Sequence, residues 1–204
     1  MTTSRTARTC AVAALLALAS LTACGSSGGS GGDSATPTPT PSTVAWAQGV
    51  CSSATDLKGS VEALGTSLSV DIGSGTSVLD QLKEQLGPQV DAVKADVGDL
   101  STALAAVPAD SDPGVQAAAA ELASARSALE SSASAVQTAA QGFQSASGIV
   151  DRAAALKEVV AAAGTAKDDA ASLATAIKGV ATSGSDAAKD AFAQAPACEP
   201  FRTS

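Results

Sequence analysis

The feature that most constrains the fold is a series of apolar residues spaced three and four apart, which begins at Val44 and continues almost to the C-terminus. This spacing places the apolar side chains on one face of an α-helix. About a quarter of the 204 residues are Ala, which has the best helix propensity and lets helices approach closely. Aromatic residues make up only 2% of the chain, so any core must be thin and aliphatic. The pattern predicts an all-α fold.

Turn and capping residues divide the pattern into four helical segments of about 30 residues, each therefore about 45 Å long. Ser42 or Thr43 can cap the first segment, and the second begins near Ser77. Gly87-Pro88 predicts a kink or a short break in the second segment, because Pro88 cannot donate to the Glu84 carbonyl. Pro108 ends that segment. The first two segments thus have recognisable starts and one internal weak point.

The third segment begins at Asp112-Pro113, an N-cap followed by Pro at the first helical position. A turn is predicted at residues 145–148, and the fourth segment ends near Ser183-Gly184. Each segment has an apolar stripe that is predicted to face the core, with Trp46 as a core or lid residue and Leu100 at mid-core. The stripe predicted for the fourth segment is Ile149, Ala153, Leu156, Val160, Ala163, Ala170, Leu173, Ile177 and Val180.

Equal segment lengths and short connections favour an antiparallel up-down-up-down four-helix bundle, followed by a short helix over 186–194. The alternative joins segments three and four into one helix of about 105 Å. Gly142 and Gly148 disfavour it, because each glycine costs about 1 kcal/mol in a helix interior. The predicted helical domain covers residues 44–204.

The stretch before this domain has a different composition. Residues 25–43 are a Gly/Ser run followed by a Thr-Pro repeat, with almost nothing apolar to bury. Gly/Ser runs form flexible coils, and Thr-Pro repeats favour extended polyproline II. Residues 24–43 are therefore predicted to be a disordered tether. A high Ala content over the whole chain, together with a Thr-Pro linker, resembles the proteins of actinobacteria of high GC content.

The first 24 residues indicate export. Arg5 and Arg8 precede an apolar run over 11–18, which is too short to span a bilayer, where about 20 apolar residues are needed. Leu21-Thr22-Ala23-Cys24 resembles the lipobox of bacterial lipoproteins. The resemblance implies that residues 1–23 are a cleaved signal peptide and that acyl chains such as palmitate are attached to Cys24. It also implies a location on the extracytoplasmic face of the cell membrane. The alternative is an ordinary secretory leader in which Cys24 has no role.

Charge and composition exclude several functions. The net charge of −8 offers no electrostatic footprint for nucleic acid. The chain contains no His, which excludes Ser-His-Asp and Cys-His nucleophile arrangements and His-ligated zinc or haem. Three acidic pairs have no EF-hand pattern and are interpreted as solvated helix faces: Asp96 with Asp99, Asp168 with Asp169, and Asp186 with Asp190. We therefore predict no catalytic residue, no cofactor and no metal site.

The cysteines make one further prediction. Cys10 would leave with the signal peptide and Cys24 would be acylated, which leaves Cys51 and Cys198 in an oxidising compartment. These two residues can form a single disulfide, and two free thiols are the alternative. In an up-down-up-down bundle, the C-terminal tail returns to the end where the first helix begins, so the pair can meet.

Three functional classes follow from these observations. The first is a non-catalytic, membrane-tethered helical module that binds an unknown envelope protein or wall component, or serves as a spacer. The second is a lipoprotein that binds a small ligand in a pocket between helices, which closely packed Ala-rich helices disfavour. The third is an enzyme, which the absence of His and of any catalytic motif disfavours. The sequence favours the first class.

Overall fold

A computed structural model describes residues 40–68 and 76–203 of the chain. The predicted signal peptide, Cys24 and the tether up to residue 39 lie outside the described residues. The helices are α1 (Pro41–Leu68), α2 (Thr76–Ala105), α3 (Pro113–Ser145), α4 (Ile149–Ser183), α5 (Asp186–Gln194) and α6 (Glu199–Thr203). A 3₁₀ turn at Pro196–Cys198 joins the last two. Within the described part of the chain, no helix is both long enough and apolar enough to span a membrane.

The four long helices form the predicted antiparallel bundle. α1 packs against α2 and α4, α2 packs against α3, and α3 packs against α4. Hydrogen bonds show the reversal of direction: Ser60 of α1 donates to Asp96 of α2, whereas Ser67, further along α1, accepts from Gln89, which comes earlier in α2. The prediction of an all-α, up-down-up-down four-helix bundle with a short C-terminal helix is confirmed.

The core follows the predicted stripes closely in α1 and α2 but less closely in α4. The apolar positions from Trp46 to Leu68 and from Leu79 to Leu104 are buried. In α4, Val160 is 45% exposed and Ile149 is 57% exposed, and Val159 is buried instead. Val159 and Val160 are neighbours on an Ala-rich helix, and either valine fits an apolar face at helical spacing. The spacing therefore does not identify which of the two is buried.

The first helix begins earlier than the apolar pattern indicates. The Thr43 N–H donates to Thr40 Oγ1 over 3.4 Å, and Pro41 occupies the first helical position. Thr40 is therefore the N-cap, rather than Ser42 or Thr43. α1 includes three residues of the stretch that was predicted to be tether.

Pro88 does not interrupt α2, which continues through it to Ala105. The predicted break at Gly87-Pro88 is therefore absent. Pro88 is exposed, so its ring faces solvent and does not displace the packed face of the helix. The helix accepts the loss of one backbone hydrogen bond at this point because the apolar face on either side of it remains buried.

The boundaries of α3 and α4 lie where the sequence predicted them. Asp112 Oδ1 accepts from the Gly114 N–H over 2.7 Å and caps α3, with Pro113 at its first position. Gly148, with φ of +91°, reverses the chain between α3 and α4. A side chain would be strained at that φ, so glycine permits the turn. The alternative of one continuous helix is thus wrong.

Candidate binding groove at the C-terminal segment

The C-terminal segment, defined as residues 186–203, packs against α1 and α4 and is linked to α1 by a disulfide. Cys51 of α1 and Cys198 of the 3₁₀ turn form a disulfide, with sulfur atoms 2.04 Å apart and Cα atoms 5.1 Å apart. Both residues are fully buried. The structure thus brings together the two cysteines that were predicted to remain available for a disulfide. Cys24 lies outside the described residues.

Two further contacts hold this segment in place. The Ala197 N–H donates to Gln48 Oε1 of α1 over 2.9 Å. The Trp46 and Phe192 rings meet edge to face with their centroids 5.6 Å apart. Trp46 is only 4% exposed, so it is a core residue that anchors α5 and does not offer an aromatic surface to a ligand.

A groove of about 410 Å³ lies between α1, α4 and α6, beside the fastened segment. Its apolar wall consists of Val61 from α1, Ala170, Ala171 and Ala174 from α4, and Phe201 from α6. Phe201 and Val61 are buried, whereas Ala171 is exposed. Small alanine side chains on α4 leave open the space that larger residues would fill.

Two lysines lie on opposite walls of the groove. Lys58 projects from α1 and Lys167 projects from α4, and Glu62 is the acidic residue that also lines the groove. Lys58 Nζ lies 3.8 Å from Glu62 Oε1, and both side chains are largely exposed. Lys167 has no acidic partner at salt-bridge distance within the described ranges. The groove rim therefore carries a net charge of +1 in a chain whose overall charge is −8.

On the other side of the C-terminal segment lies a more open depression of about 500 Å³. Asp56 and Glu199 line it together with Ser52, and it shares Thr55 and Pro200 with the groove. Pro196 and Ala197 also line it, so its surface is partly apolar and partly acidic. The two depressions thus meet at Thr55 and Pro200, and of the two only the groove includes residues of α4.

None of the acidic pairs noted in the sequence lines the groove, although Asp168 and Asp169 lie between its lining residues Lys167 and Ala170. Asp96 accepts a hydrogen bond from Ser60. Asp186 lies 2.7 Å from Lys189 Nζ, and its hydrogen bond and negative charge raise the pKa of the Lys189 ammonium above its ordinary value. Among the described residues, no group of three or more Cys, Asp or Glu is placed to hold a metal ion.

Comparison with known proteins gives no family to which the chain can be assigned. No protein-family model, curated protein or solved structure matches it.

Sequence reasoning identified both cysteines but missed the groove. Val61 and Phe201 come from opposite ends of the helical domain, and only the fold brings them together. The sequence carries one signal for the groove. Three positions close together on α4 have small side chains: Ala170, Ala171 and Ala174. In a chain so rich in Ala, that signal does not stand out.

Proposed function

We propose that this protein is a membrane-anchored extracytoplasmic lipoprotein whose helical domain is a non-catalytic binding module. The lipobox-like sequence that ends at Cys24 supports the anchor, and the groove between α1, α4 and α6 supports the binding role. The absence of His from the whole sequence supports a role without catalysis.

The groove is the observation that carries the binding role. Its volume of about 410 Å³ falls within the range of small-ligand sites, and a mostly apolar wall with a few polar groups is typical of them. Leucine and valine side chains fill the bundle axis, so a ligand would lie in the groove rather than between all four helices. This favours a small ligand, and a passive spacer would have no use for such a groove.

Site-specific photo-crosslinking in intact cells tests the binding role. A short diazirine-bearing amino acid would be placed at Ala171, on the groove wall, or at Ala161, an exposed residue of the same helix that does not line the groove. We expect adducts at position 171 and none at position 161. Mass spectrometry of the labelled peptide shows whether a protein or a small molecule was captured. An absence of adducts at position 171, or equal adducts at both positions, would support the spacer instead.

Replacing Cys24 tests the anchor. The Cys24→Ala variant lacks the thiol to which acyl chains attach, so we expect it to accumulate as a precursor or to be shed. Two or more acyl chains hold a protein stably on a membrane, whereas a single chain holds it only marginally. The wild-type protein should therefore partition into the detergent phase of Triton X-114, and the shed variant should remain in the aqueous phase. An aqueous wild-type protein would contradict the lipoprotein assignment.

A further inference from the structure

The groove has two different kinds of surface. Its wall is apolar, formed by Val61, three alanines of α4 and Phe201, and its rim carries charged side chains. An apolar wall is suited to hydrocarbon, because burying hydrocarbon removes its surface from water. A ligand that uses both surfaces must be amphiphilic. This restricts the ligand class more than the volume alone does.

The volume limits how much hydrocarbon can enter. At about 410 Å³, the groove lies near the lower end of the range for small-ligand sites, which is about 300–1,000 Å³. It is also partly open, with Ala171 exposed on one wall. These dimensions suit one acyl chain lying along the alanines and leave no room for the two chains of a diacyl lipid.

The rim determines the charge of the head group. Lys58 of α1 and Lys167 of α4 both line the groove, and Glu62 pairs with Lys58. Lys167 is left to attract an anion, and the net rim charge of +1 balances a monoanion. A doubly charged phosphate would leave a negative charge beside Glu62 without compensation.

We propose that the groove binds a fatty acid, a single acyl chain that ends in a carboxylate. The chain lies against Val61, Ala171 and Phe201, and the carboxylate lies at the rim beside Lys167. The inference rests on the proposed binding role and specifies its ligand. The fastened C-terminal segment is part of the site, because α6 supplies Phe201 and the Cys51–Cys198 disulfide holds the 3₁₀ turn that precedes it.

Photolabelling of the full-length protein in phosphatidylcholine vesicles tests this assignment. The probe is dodecanoate with a diazirine near the end of its chain, and mass spectrometry locates the label. We expect labelling within residues 55–62, 167–174 and 200–201. The exposed pair Ile149 and Val150, which lies outside the groove, serves as an internal reference for non-specific labelling. Label spread evenly, or concentrated on that pair, overturns the proposal.

Variants on the wall of the groove test where the chain lies. Ala171→Glu places a carboxylate on the exposed apolar wall, where it repels the carboxylate of the probe and can pair with Lys167 four residues earlier, and should lower labelling roughly 2–5-fold, the size of an exposed charge interaction. Ala161→Glu makes the same change on an exposed part of α4 outside the groove and should leave labelling unchanged. Thermal unfolding checks that both variants fold. If Ala171→Glu fails to fold, the wild-type labelling map alone decides the proposal.

A second pair of variants tests the head group. Lys167→Gln should lower labelling by dodecanoate roughly 2–5-fold, the effect expected of one exposed ion pair. It should not change labelling by a diazirine-bearing dodecanol, which has no charge. Lys178→Gln, also exposed on α4 but outside the groove, is the control for both probes. Equal effects of Lys167→Gln on the acid and the alcohol would overturn the carboxylate assignment.

The outcomes separate this inference from the proposed function. If position 171 captures a species in cells but dodecanoate does not label the groove, the binding role stands and the fatty-acid assignment is wrong. If position 171 captures nothing while dodecanoate labels evenly, both are wrong.

Discussion

Single residues define where the helices of this domain begin. Thr40 precedes Pro41 at the start of α1, and Asp112 precedes Pro113 at the start of α3. In each case a side-chain oxygen accepts from a backbone N–H of the first turn, and the proline occupies a position where no N–H is needed. Two unrelated stretches thus use the same local chemistry to begin a helix.

The burial of Leu100 makes a prediction at the residue scale. Leu100 is fully buried in the core contributed by α2. Leu100→Ala should lower the free energy of unfolding by about 2–5 kcal/mol, because it removes buried methyl groups and leaves a cavity. Urea unfolding monitored by circular dichroism measures the loss. Val160→Ala is the matched control, since Val160 is 45% exposed and its truncation should change stability by less than about 0.5 kcal/mol. Similar effects for both variants would contradict the core assignment.

The two helix starts at Pro41 and Pro113 also show which boundaries could be predicted from the sequence. Asp112-Pro113 stands alone and was interpreted as a helix start, which the structure confirms. Thr40-Pro41 ends a Thr-Pro repeat, and the repeat was interpreted as tether throughout. The cap of α1 bonds a backbone N–H of the first turn, and this N–H needs such a partner only when the residues after it are helical. A composition-based boundary therefore placed the start of α1 too late.

At the scale of elements, long helices tolerate local defects because their packed faces are continuous. α2 remains one helix through Pro88, and α4 extends over 35 residues although its apolar stripe is ambiguous. Helical periodicity was enough to predict the existence and type of each element. It could not choose between Val159 and Val160, because the choice depends on the position of the neighbouring helices. In the structure, the packing of the neighbouring helices buries Val159 and leaves Val160 partly exposed.

Pro88 makes a prediction at the element scale. In a helix that continues without a break, Pro88→Ala restores a backbone N–H donor and removes the contact of the ring with the Glu84 carbonyl. Since proline in a helix interior costs about 3 kcal/mol relative to alanine, the variant should gain about 1–3 kcal/mol of stability. Thermal and urea unfolding measure the gain. Gln85→Ala, at an exposed position nearby in α2, is the control and should change stability little. A loss of stability in Pro88→Ala would show that the proline is needed where it lies.

At the scale of the whole helical domain, contacts between residues far apart in sequence hold the described residues together. Gln48 and Ala197, and likewise Trp46 and Phe192, meet because the up-down-up-down order returns the C-terminus to the start of α1. The sequence predicted this return, because an even number of antiparallel helices ends at the level where the first helix begins. It did not predict the groove, because the shape of the groove depends on how closely α1 approaches α4 and on where α6 lies between them.

The disulfide makes the prediction that belongs to the whole molecule. Cys51 and Cys198 are 147 residues apart, and by chain entropy closing so long a loop stabilises the fold by up to roughly 5 kcal/mol. Reduction should therefore lower the melting temperature. It should leave most of the helicity intact, because the buried apolar faces of α1–α4 do not depend on the disulfide.

Alkylation under denaturing conditions provides the chemical test of this pairing. In the unreduced protein, neither Cys51 nor Cys198 should be labelled, whereas both should be labelled after reduction. The double variant Cys51→Ala, Cys198→Ala separates the bond from side effects of the reductant, since its melting temperature should match that of the reduced protein and should not respond to reductant. Labelling of both cysteines without reduction would show two free thiols. The C-terminal segment would then be held by non-covalent contacts only, among them those of Trp46 with Phe192 and of Gln48 with Ala197.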